Sequence, residues 1–218
     1  MVFLMNKVAI HWFRNDLRVN DNPSLQFAAQ NGSVMPIFIN DIANSTQNEF
    51  KLGEASSWWL HHSLHSLNES LSGALNCYSG NPIDIISKLI AEYDIESFSW
   101  NRAYSPWEIK RDTAIKALLK TKNINVKTFN GALLWEPWEI LKDDNTPYKV
   151  FSPFYKKGCL IRHAGPRRIV NSATALFCQE KIPSSGNINS LDLLPKHDWK
   201  NKFEQYWNIG ERAAMDKY

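Results

Sequence analysis

The sequence predicts an α/β fold with a five-stranded parallel sheet and helices on both of its faces. Over the first 135 of 218 residues, short apolar and β-branched runs alternate with longer segments of helical periodicity. The first two runs, Lys7–Phe13 and Val34–Asn40, are mostly apolar or aromatic, which is typical of strands buried on both faces. Because such alternation leads to right-handed crossovers, the strands are expected to lie parallel.

Each element has a local signal in the sequence. The other three predicted strands are short β-rich runs at Leu75–Ser79, Glu96–Trp100 and Asn125–Phe129. Asn22 and Pro23 form a helix start, since Asn caps well and Pro suits the first helical position, and Gly32 ends that helix. Three further amphipathic helices are predicted at Glu54–Leu71, Pro82–Tyr93 and Pro106–Lys122.

In a Rossmann-like sheet of this kind, ligands bind outside the carboxyl ends of the strands, where the strand order reverses. Three segments follow strands one, two and four and are expected at that edge: Arg14–Asn22, Asp41–Gly53 and Asn101–Trp107. This placement locates a binding crevice without identifying its ligand.

The pattern changes after Trp135, and we divide the chain into three regions there. We expect residues 1–135 to form the α/β domain, 136–198 a connecting region, and 199–218 the start of a C-terminal helical domain. Within the connecting region, Glu136–Tyr148 is predicted as loop with a short helix, and a helix is predicted from Ser152 to about His163. Ala164–Pro195 is predicted as an extended linker, and Trp199–Tyr218 as helix.

Composition excludes several classes of protein. The apolar fraction of 44% and the charged fraction of 22% are those of a globular chain, so disorder and collagen-like repeats are excluded. The longest apolar run, Met1–Met5, is far shorter than the roughly 20 residues of a membrane span. Three scattered cysteines exclude a disulfide framework and a CxxC metal site. We therefore expect no membrane partner and a reducing, cytoplasmic location.

Charge is distributed unevenly along the chain. Residues 1–100 carry a net charge of −5 and residues 101–218 a net charge of +8. No acidic residue lies between Asp144 and Glu180. Six basic residues do: Lys149, Lys156, Lys157, Arg162, Arg167 and Arg168. Such a stretch can follow a phosphate backbone, but a solvated helix face and linker is the interpretation we favour, because helical runs often carry several lysines for solubility alone.

Common catalytic motifs are absent. The sequence has no Walker loop, no GxGxxG and no GxSxG. His61 and His65 have the i, i+4 spacing of a metal-binding pair, with Glu69 one turn further. Since metal sites need more converging ligands than these, we interpret the histidines as helix-surface or partly buried residues and predict no metal.

Several blocks resemble the DNA photolyase and cryptochrome family. The run His11–Leu25 reads HWFRNDLRVNDNPSL and is similar to the family pattern WFRxDLRxxDNPxL. Further matching blocks follow in order at Gly53–Leu64, Gly80–Pro82, Trp100–Pro106, Phe129–Leu134, Glu136–Trp138 and Tyr148–Phe154. Trp207–Ala214, WNIGERAA, is similar to the WxxGExxA segment where the family's second domain begins.

The resemblance implies a deoxyribodipyrimidine photolyase, a lyase that repairs pyrimidine dimers in DNA with light and electron transfer from FADH⁻. In that family the flavin pocket, the dimer-binding cavity and the electron-transfer tryptophans belong to a helical carboxy-terminal domain, which acts on a flipped-out dimer. This sequence ends where that domain starts. We therefore expect the chain alone to bind an antenna chromophore without repairing DNA, and the FAD domain to be supplied in cis or in trans.

The antenna site implied by the resemblance coincides with the predicted crevice. The residues expected to bind the cofactor are Phe38, Asn40, Asp41, Lys51, Ser56, Asn101, Arg102, Trp107 and Glu108. Glu108 matches a pterin-contacting Glu of folate-type members, which favours methenyltetrahydrofolate over 8-hydroxy-deazaflavin or FMN. Aromatic walls suit a flat heterocycle, and Lys51 or Arg102 can meet an acidic tail. The pocket being empty, as in some members, remains an alternative.

Four alternating charges after the first strand, Arg14, Asp16, Arg18 and Asp21, are interpreted as structural, pairing with one another and with the backbone. Three other functions stay open. A cryptochrome-type photoreceptor differs mainly in the part of the family that lies outside this sequence. A nucleotide-binding module is disfavoured by the lack of a Gly-rich loop. A functionless fragment would expose Trp199 and Trp207 and be prone to aggregation.

Overall fold

A computed structural model describes residues 7–42, 52–161, 165–172, 174–179, 185–197, 199–203 and 205–218. Its centre is a five-stranded sheet in the order β3-β2-β1-β4-β5, and every neighbouring pair is parallel. The strands are β1 Val8–Phe13, β2 Ser33–Asn40, β3 Asn76–Ser79, β4 Ile95–Asn101 and β5 Asn125–Phe129. The predicted α/β, Rossmann-like fold is confirmed, with strand ends that differ by at most one residue.

The two central strands are buried as their sequences predict. All six residues of β1 and six of the eight in β2 are inaccessible to solvent. Side chains alternate between the two faces: Ile10 and Trp12 pack in one core cluster, while Ala9 and Phe13 pack in another. Each face therefore needs a helical layer to cover it.

Four helices supply those layers: α1 Pro23–Gln30, α2 Glu54–Ser70, α3 Pro82–Glu92 and α4 Pro106–Thr121. Asparagine caps begin two of them. The amide of Leu25 donates to Asn22 Oδ1 (3.0 Å), and the amide of Ile83 donates to Asn81 Oδ1 (2.9 Å). Within the described residues, no helix combines the length and apolar character that crossing a membrane requires.

The connecting region is less helical than predicted. The predicted helix from Ser152 to about His163 is only the short helix α5, Phe151–Pro153, followed by a π-helical stretch over Phe154–Cys159. The π-helical stretch leaves room only for glycine at position 158, because a Cβ atom there would lie 2.6 Å from Ile140 Cγ2. The end of the predicted helix, His163, lies outside the described residues.

Part of the connecting region forms a short parallel pairing with strand β2 of the sheet. Leu176 O accepts from the amide of Val34, and the amide of Cys178 donates to Val34 O, both at 2.8 Å. This pairing lies beside the first half of β2, which β3 is too short to cover. A 3₁₀ helix, Ile188–Leu191, then packs its apolar side chains against Phe38 and Leu64.

The prediction of one helix over Trp199–Tyr218 is wrong. Two short helices form instead, α6 Lys200–Phe203 and α7 Glu211–Lys217. Gly210 separates them, with a φ of 111° and no room for a Cβ atom, which would collide with the Ser66 hydroxyl of α2. The segment lies against α2 through ring contacts of Phe203 with Trp58 and of Trp207 with Trp59.

Candidate functional site

The predicted crevice belongs to the edge of the sheet where the strand order reverses. Strands β2 and β3 follow β1 on one side of the sheet, whereas β4 and β5 lie on the other, so the switch point is between β1 and β4. The segments after β1 and β4 meet there, and Asp41, the first residue after β2, lies alongside. The start of α4 forms the outer wall.

A buried carboxylate, Asp112 of α4, organises this edge. Arg14 Nη1 donates to both of its oxygens, at 3.0 and 2.8 Å. Arg111 Nε and Nη2 donate to Oδ1 at 3.3 and 3.1 Å, and Trp100 Nε1 donates to Oδ2 at 2.8 Å. The carboxylate is therefore shared by two guanidinium groups and one indole. Burial lowers the pKa of Arg14, and the Asp112 charge partly offsets that effect.

Arg111 joins this network to the predicted site residues. Its Nη1 donates to Asp41 Oδ2 at 3.2 Å, and its Nη2 lies 3.9 Å from Glu108 Oε1. The guanidinium also lies 5.0 Å from the ring centres of Trp12 and Trp107. Asp41, Trp107 and Glu108 are thus brought together around an arginine that the sequence analysis missed. The i, i+3 spacing of Glu108 and Arg111 was an available signal.

Other predicted site residues lie elsewhere in the structure. Asn101 is buried under the β1–α1 loop, where its amide donates to Asp16 and to Asn22 Oδ1 (2.8 Å). Phe38 packs in the core, the carbonyl of Asn40 accepts from the amide of Gly80, and Ser56 is exposed in the first turn of α2. Lys51 lies outside the described residues.

Arg102 lines a separate cavity of about 400 Å³ near the end of β5. Its Nε donates to Glu136 Oε1 at 2.8 Å, and its Nη1 donates to the carbonyl of Thr128 at 2.6 Å. Tyr104 also donates to Glu136 (2.8 Å), and burial, followed by the Glu136 hydrogen bond, raises the pKa of Tyr104 to about 12. Arg102 is therefore engaged away from the crevice.

The charges of the β1–α1 loop bind mainly to other segments. Within the loop, Arg18 Nη2 lies 3.9 Å from Asp21 Oδ2. Asp21 accepts from Arg167 Nη1 (2.7 Å) and from the amide of Val170 (3.0 Å), and the Arg167 hydrogen bond holds the pKa of Asp21 below its usual value. Glu211 of α7 accepts from the amides of Val19 and Asn20. The loop therefore ties the crevice to the connecting and carboxy-terminal segments.

A buried histidine, His11 of β1, contacts the end of the same loop and the start of α1. His11 Nδ1 lies 3.1 Å from the Ser24 hydroxyl, and His11 Nε2 lies 3.5 Å from Asn22 Nδ2. Burial, reinforced by the Arg14 charge, lowers the pKa of His11 to about 3. The imidazole is therefore neutral in the folded chain at any ordinary pH.

This burial predicts an acid-sensitive fold. Since the unfolded His11 has a pKa near 6.5, the unfolded state binds the extra proton first, and stability falls as the pH drops below that value. One such group contributes a slope of about 1.4 kcal/mol per pH unit. We expect His11→Gln to lose that part of the slope in urea unfolding between pH 6.5 and about pH 3. The exposed control His197→Gln should keep it, and equal slopes in both variants would contradict the assignment.

The histidines of α2 bring together no metal site. The rings of His61 and His65 lie 4.6 Å apart. His61 is buried, and burial, followed by the neighbouring His65 and His62, lowers its pKa to about 4. In the part of the chain that the structure describes, no three His, Cys, Asp or Glu side chains converge as metal ligands.

Comparisons with known proteins agree on one family. The family model "DNA photolyase" matches residues 9–169. A deoxyribodipyrimidine photo-lyase of Agrobacterium fabrum is 35% identical over 213 residues, which cover 95% of this chain and 43% of that protein. Cryptochrome-2 of Arabidopsis thaliana is 38% identical over 160 residues, 72% of this chain and 26% of the cryptochrome.

Solved structures show the same fold. A bacterial class III photolyase from Agrobacterium tumefaciens superposes with a TM-score of 0.85 at 34% identity, covering 99% of this chain and 44% of that one. A Synechocystis cryptochrome gives 0.80 at 19% identity and shares the fold, covering 99% of this chain and 46% of its own. The chain therefore spans less than half the length of these relatives. Family match, identity and fold together show that it belongs to the DNA photolyase family and has the fold of the family's N-terminal α/β domain.

Proposed function

We propose that the chain is the light-harvesting-cofactor-binding domain of a deoxyribodipyrimidine photolyase. The observation that carries the proposal is the side-chain cluster at the switch point of the sheet, where Asp41, Trp107 and Glu108 surround Arg111. The identity to the Agrobacterium photo-lyase over nearly the whole chain supports it. Phe38, Asn40, Lys51, Ser56, Asn101 and Arg102 remain proposed, more peripheral members of the site.

The crevice residues fit a flat chromophore. The half-buried Trp107 ring offers a stacking surface, and the carboxylates of Glu108 and Asp41 are acceptors for amino groups. The indole nitrogen of Trp12, whose ring lies 5.0 Å from the Arg111 guanidinium, is buried and has no hydrogen-bond partner among the described residues.

Hydrogen-bond complementarity favours methenyltetrahydrofolate among the three candidate chromophores. The described side chains around Arg111 include the carboxylates of Asp41 and Glu108. A pterin carries an amino group that can donate to these carboxylates, whereas neither 8-hydroxy-deazaflavin nor FMN carries an amino group. When bound, the folate would supply absorption of near-ultraviolet light.

Glu108 provides the direct test. We expect Glu108→Gln to weaken methenyltetrahydrofolate binding about tenfold, because a hydrogen bond to a charged acceptor contributes roughly 1.5–3 kcal/mol. A fluorescence titration of the purified chain measures the change. Glu69→Gln, an exposed substitution on α2, is the matched control and should leave the affinity unaltered. Equal affinities of all three proteins would contradict the proposal.

Repair is proposed to need a second part. We infer that a helical domain, in cis or in trans, supplies FADH⁻ for electron transfer to the dimer, and that this chain delivers excitation energy to it. This chain covers 43% and 44% of the two Agrobacterium relatives, which supports the proposal that the repair enzyme contains a further domain. DNA is then the shared substrate.

Lys156 and Lys157 are proposed to contact the DNA backbone. Both are exposed, whereas Arg167 of the same basic stretch is bound to Asp21. Because each neutralised phosphate contributes about −0.9 to the salt slope, Lys156→Gln/Lys157→Gln should flatten the slope of duplex binding by about two. Lys110→Gln/Lys120→Gln on α4 is the matched control. An unchanged slope in the first variant would assign these lysines to a solvated surface.

A cryptochrome-type photoreceptor is the second candidate. The 38% identity to Cryptochrome-2 over 160 residues favours it specifically. Reconstitution with a flavin domain separates the two functions, since only a photolyase splits pyrimidine dimers back into separate pyrimidines under blue light.

A further inference from the structure

We infer that the Asp41–Arg111 ion pair determines which chromophores the crevice accepts, by excluding those that carry a phosphate. The inference rests on the proposed function. Guanidinium groups are the side chains best suited to bind phosphate, through two parallel hydrogen bonds. A crevice with two arginines would therefore be expected to favour a phosphate-bearing ligand such as FMN, unless both groups are already engaged.

Both guanidinium groups are engaged by the protein itself. The Nε and Nη2 edge of Arg111 contacts Asp112 (3.3 and 3.1 Å), and its Nη1 contacts Asp41 (3.2 Å). Arg14 donates through Nη1 to Asp112 and through Nη2 to the carbonyl of Asn101. In these contacts, neither arginine keeps two free N–H groups side by side with which it could bind a phosphate.

Asp41 is the carboxylate that can be substituted while the contacts of Asp112 are kept. Asp112 is held by three side chains and supports the fold, whereas the contact between Asp41 and Arg111 joins the end of β2 to α4 across the crevice. The side chains of Asp41 and Arg111 are 9% and 8% exposed, so the pair is nearly closed to solvent. Without the carboxylate, Arg111 becomes a buried cation with one edge unpaired, which is unfavourable until an anion replaces it.

FMN and riboflavin measure this selectivity, because they differ only in the phosphate. We expect the unmodified chain to bind FMN no more tightly than riboflavin. In Asp41→Ala, FMN should bind about tenfold more tightly than riboflavin, as a charge-assisted contact to phosphate implies. Inorganic phosphate should raise the unfolding temperature of this variant more than that of the unmodified chain. Asp84→Ala, an exposed substitution on α3, is the control.

Asp41→Asn keeps the volume of the side chain and provides a second variant if Asp41→Ala does not fold. It should shift the preference toward FMN in the same direction by a smaller factor. The inference is overturned if either variant folds without gaining preference for FMN, including by binding neither flavin, or if the unmodified chain already prefers FMN. A chain that binds methenyltetrahydrofolate but gives those results overturns this inference alone. A chain that binds no chromophore overturns the proposed function.

Discussion

Asp112→Ala is expected to destabilise the fold by about 3–5 kcal/mol, the usual cost of removing one partner from a buried ion pair. The carboxylate accepts from Arg14, Arg111 and Trp100, and the side chains of the two arginines are only 7% and 8% exposed. Its loss leaves two guanidinium groups and one indole N–H without their acceptor. The structure offers Arg111 a second carboxylate, Asp41, but Arg14 has no comparable replacement among its described contacts.

Urea unfolding followed by tryptophan fluorescence measures the loss. Asp112→Asn keeps an acceptor oxygen for Trp100 and should be less destabilising than Asp112→Ala. Asp84→Ala, on the exposed side of α3, should change the free energy of unfolding by no more than about 0.5 kcal/mol. A loss below about 1 kcal/mol in Asp112→Ala would show that the network does not hold the edge of the sheet together.

Trp107→Ala is expected to weaken chromophore binding by about tenfold to a hundredfold, since stacking on an aromatic ring contributes roughly 1–3 kcal/mol. The ring is half-buried at the start of α4 and lies beneath the Arg111 guanidinium, which holds it beside Glu108 and Asp41. Removing it takes away the flat wall of the proposed site and leaves the buried ion network in place.

Trp138→Ala is the matched control for that experiment. Trp138 is also a tryptophan beside an arginine, 5.7 Å from Arg102, but it is 58% exposed and is not among the described ring contacts of Arg111. The Trp138→Ala variant should bind methenyltetrahydrofolate with the same affinity as the unmodified chain. Equal losses in both variants would mean that the effect is not specific to the crevice.

The sheet could be predicted because its strands are buried on both faces. The continuous apolar runs of β1 and β2 leave few other structures open, and Asn–Pro pairs mark the starts of α1 and α3. These signals are local, so they survive without any knowledge of the tertiary contacts.

The carboxy-terminal half could not be predicted as well, because its structure depends on distant partners. The extended linker pairs with Val34 of β2, which no local pattern indicates. Helical periodicity continues over Trp199–Tyr218, yet α6 ends at Phe203, and Gly210, in close contact with Ser66 of α2, precedes a separate helix. Tertiary packing decided both outcomes.

The positions of the predicted site residues could be inferred in part for a similar reason, while their role in cofactor binding stays a prediction. The switch-point rule expected Asp41 and Trp107 at one edge and the resemblance added Glu108, and the structure places all three around Arg111. The sequence did not indicate Arg111 and Asp112, because charged residues in a helix of mixed composition are expected on its solvent-exposed face. In the structure both are buried. Asn101 and Arg102 were grouped by sequence, but the structure binds the first to Asp16 and the second to Glu136.

The most direct test of the central claim is an absorption spectrum of the purified chain. It is recorded across the near-ultraviolet and blue range after incubation with methenyltetrahydrofolate, 8-hydroxy-deazaflavin or FMN and removal of free ligand by gel filtration. A crevice with a stacking wall and a few polar groups should retain its chromophore. We predict a near-ultraviolet band that co-elutes with the chain after incubation with the folate and is reduced in Trp107→Ala. A chain that carries no such band after any of the three incubations would contradict the antenna function.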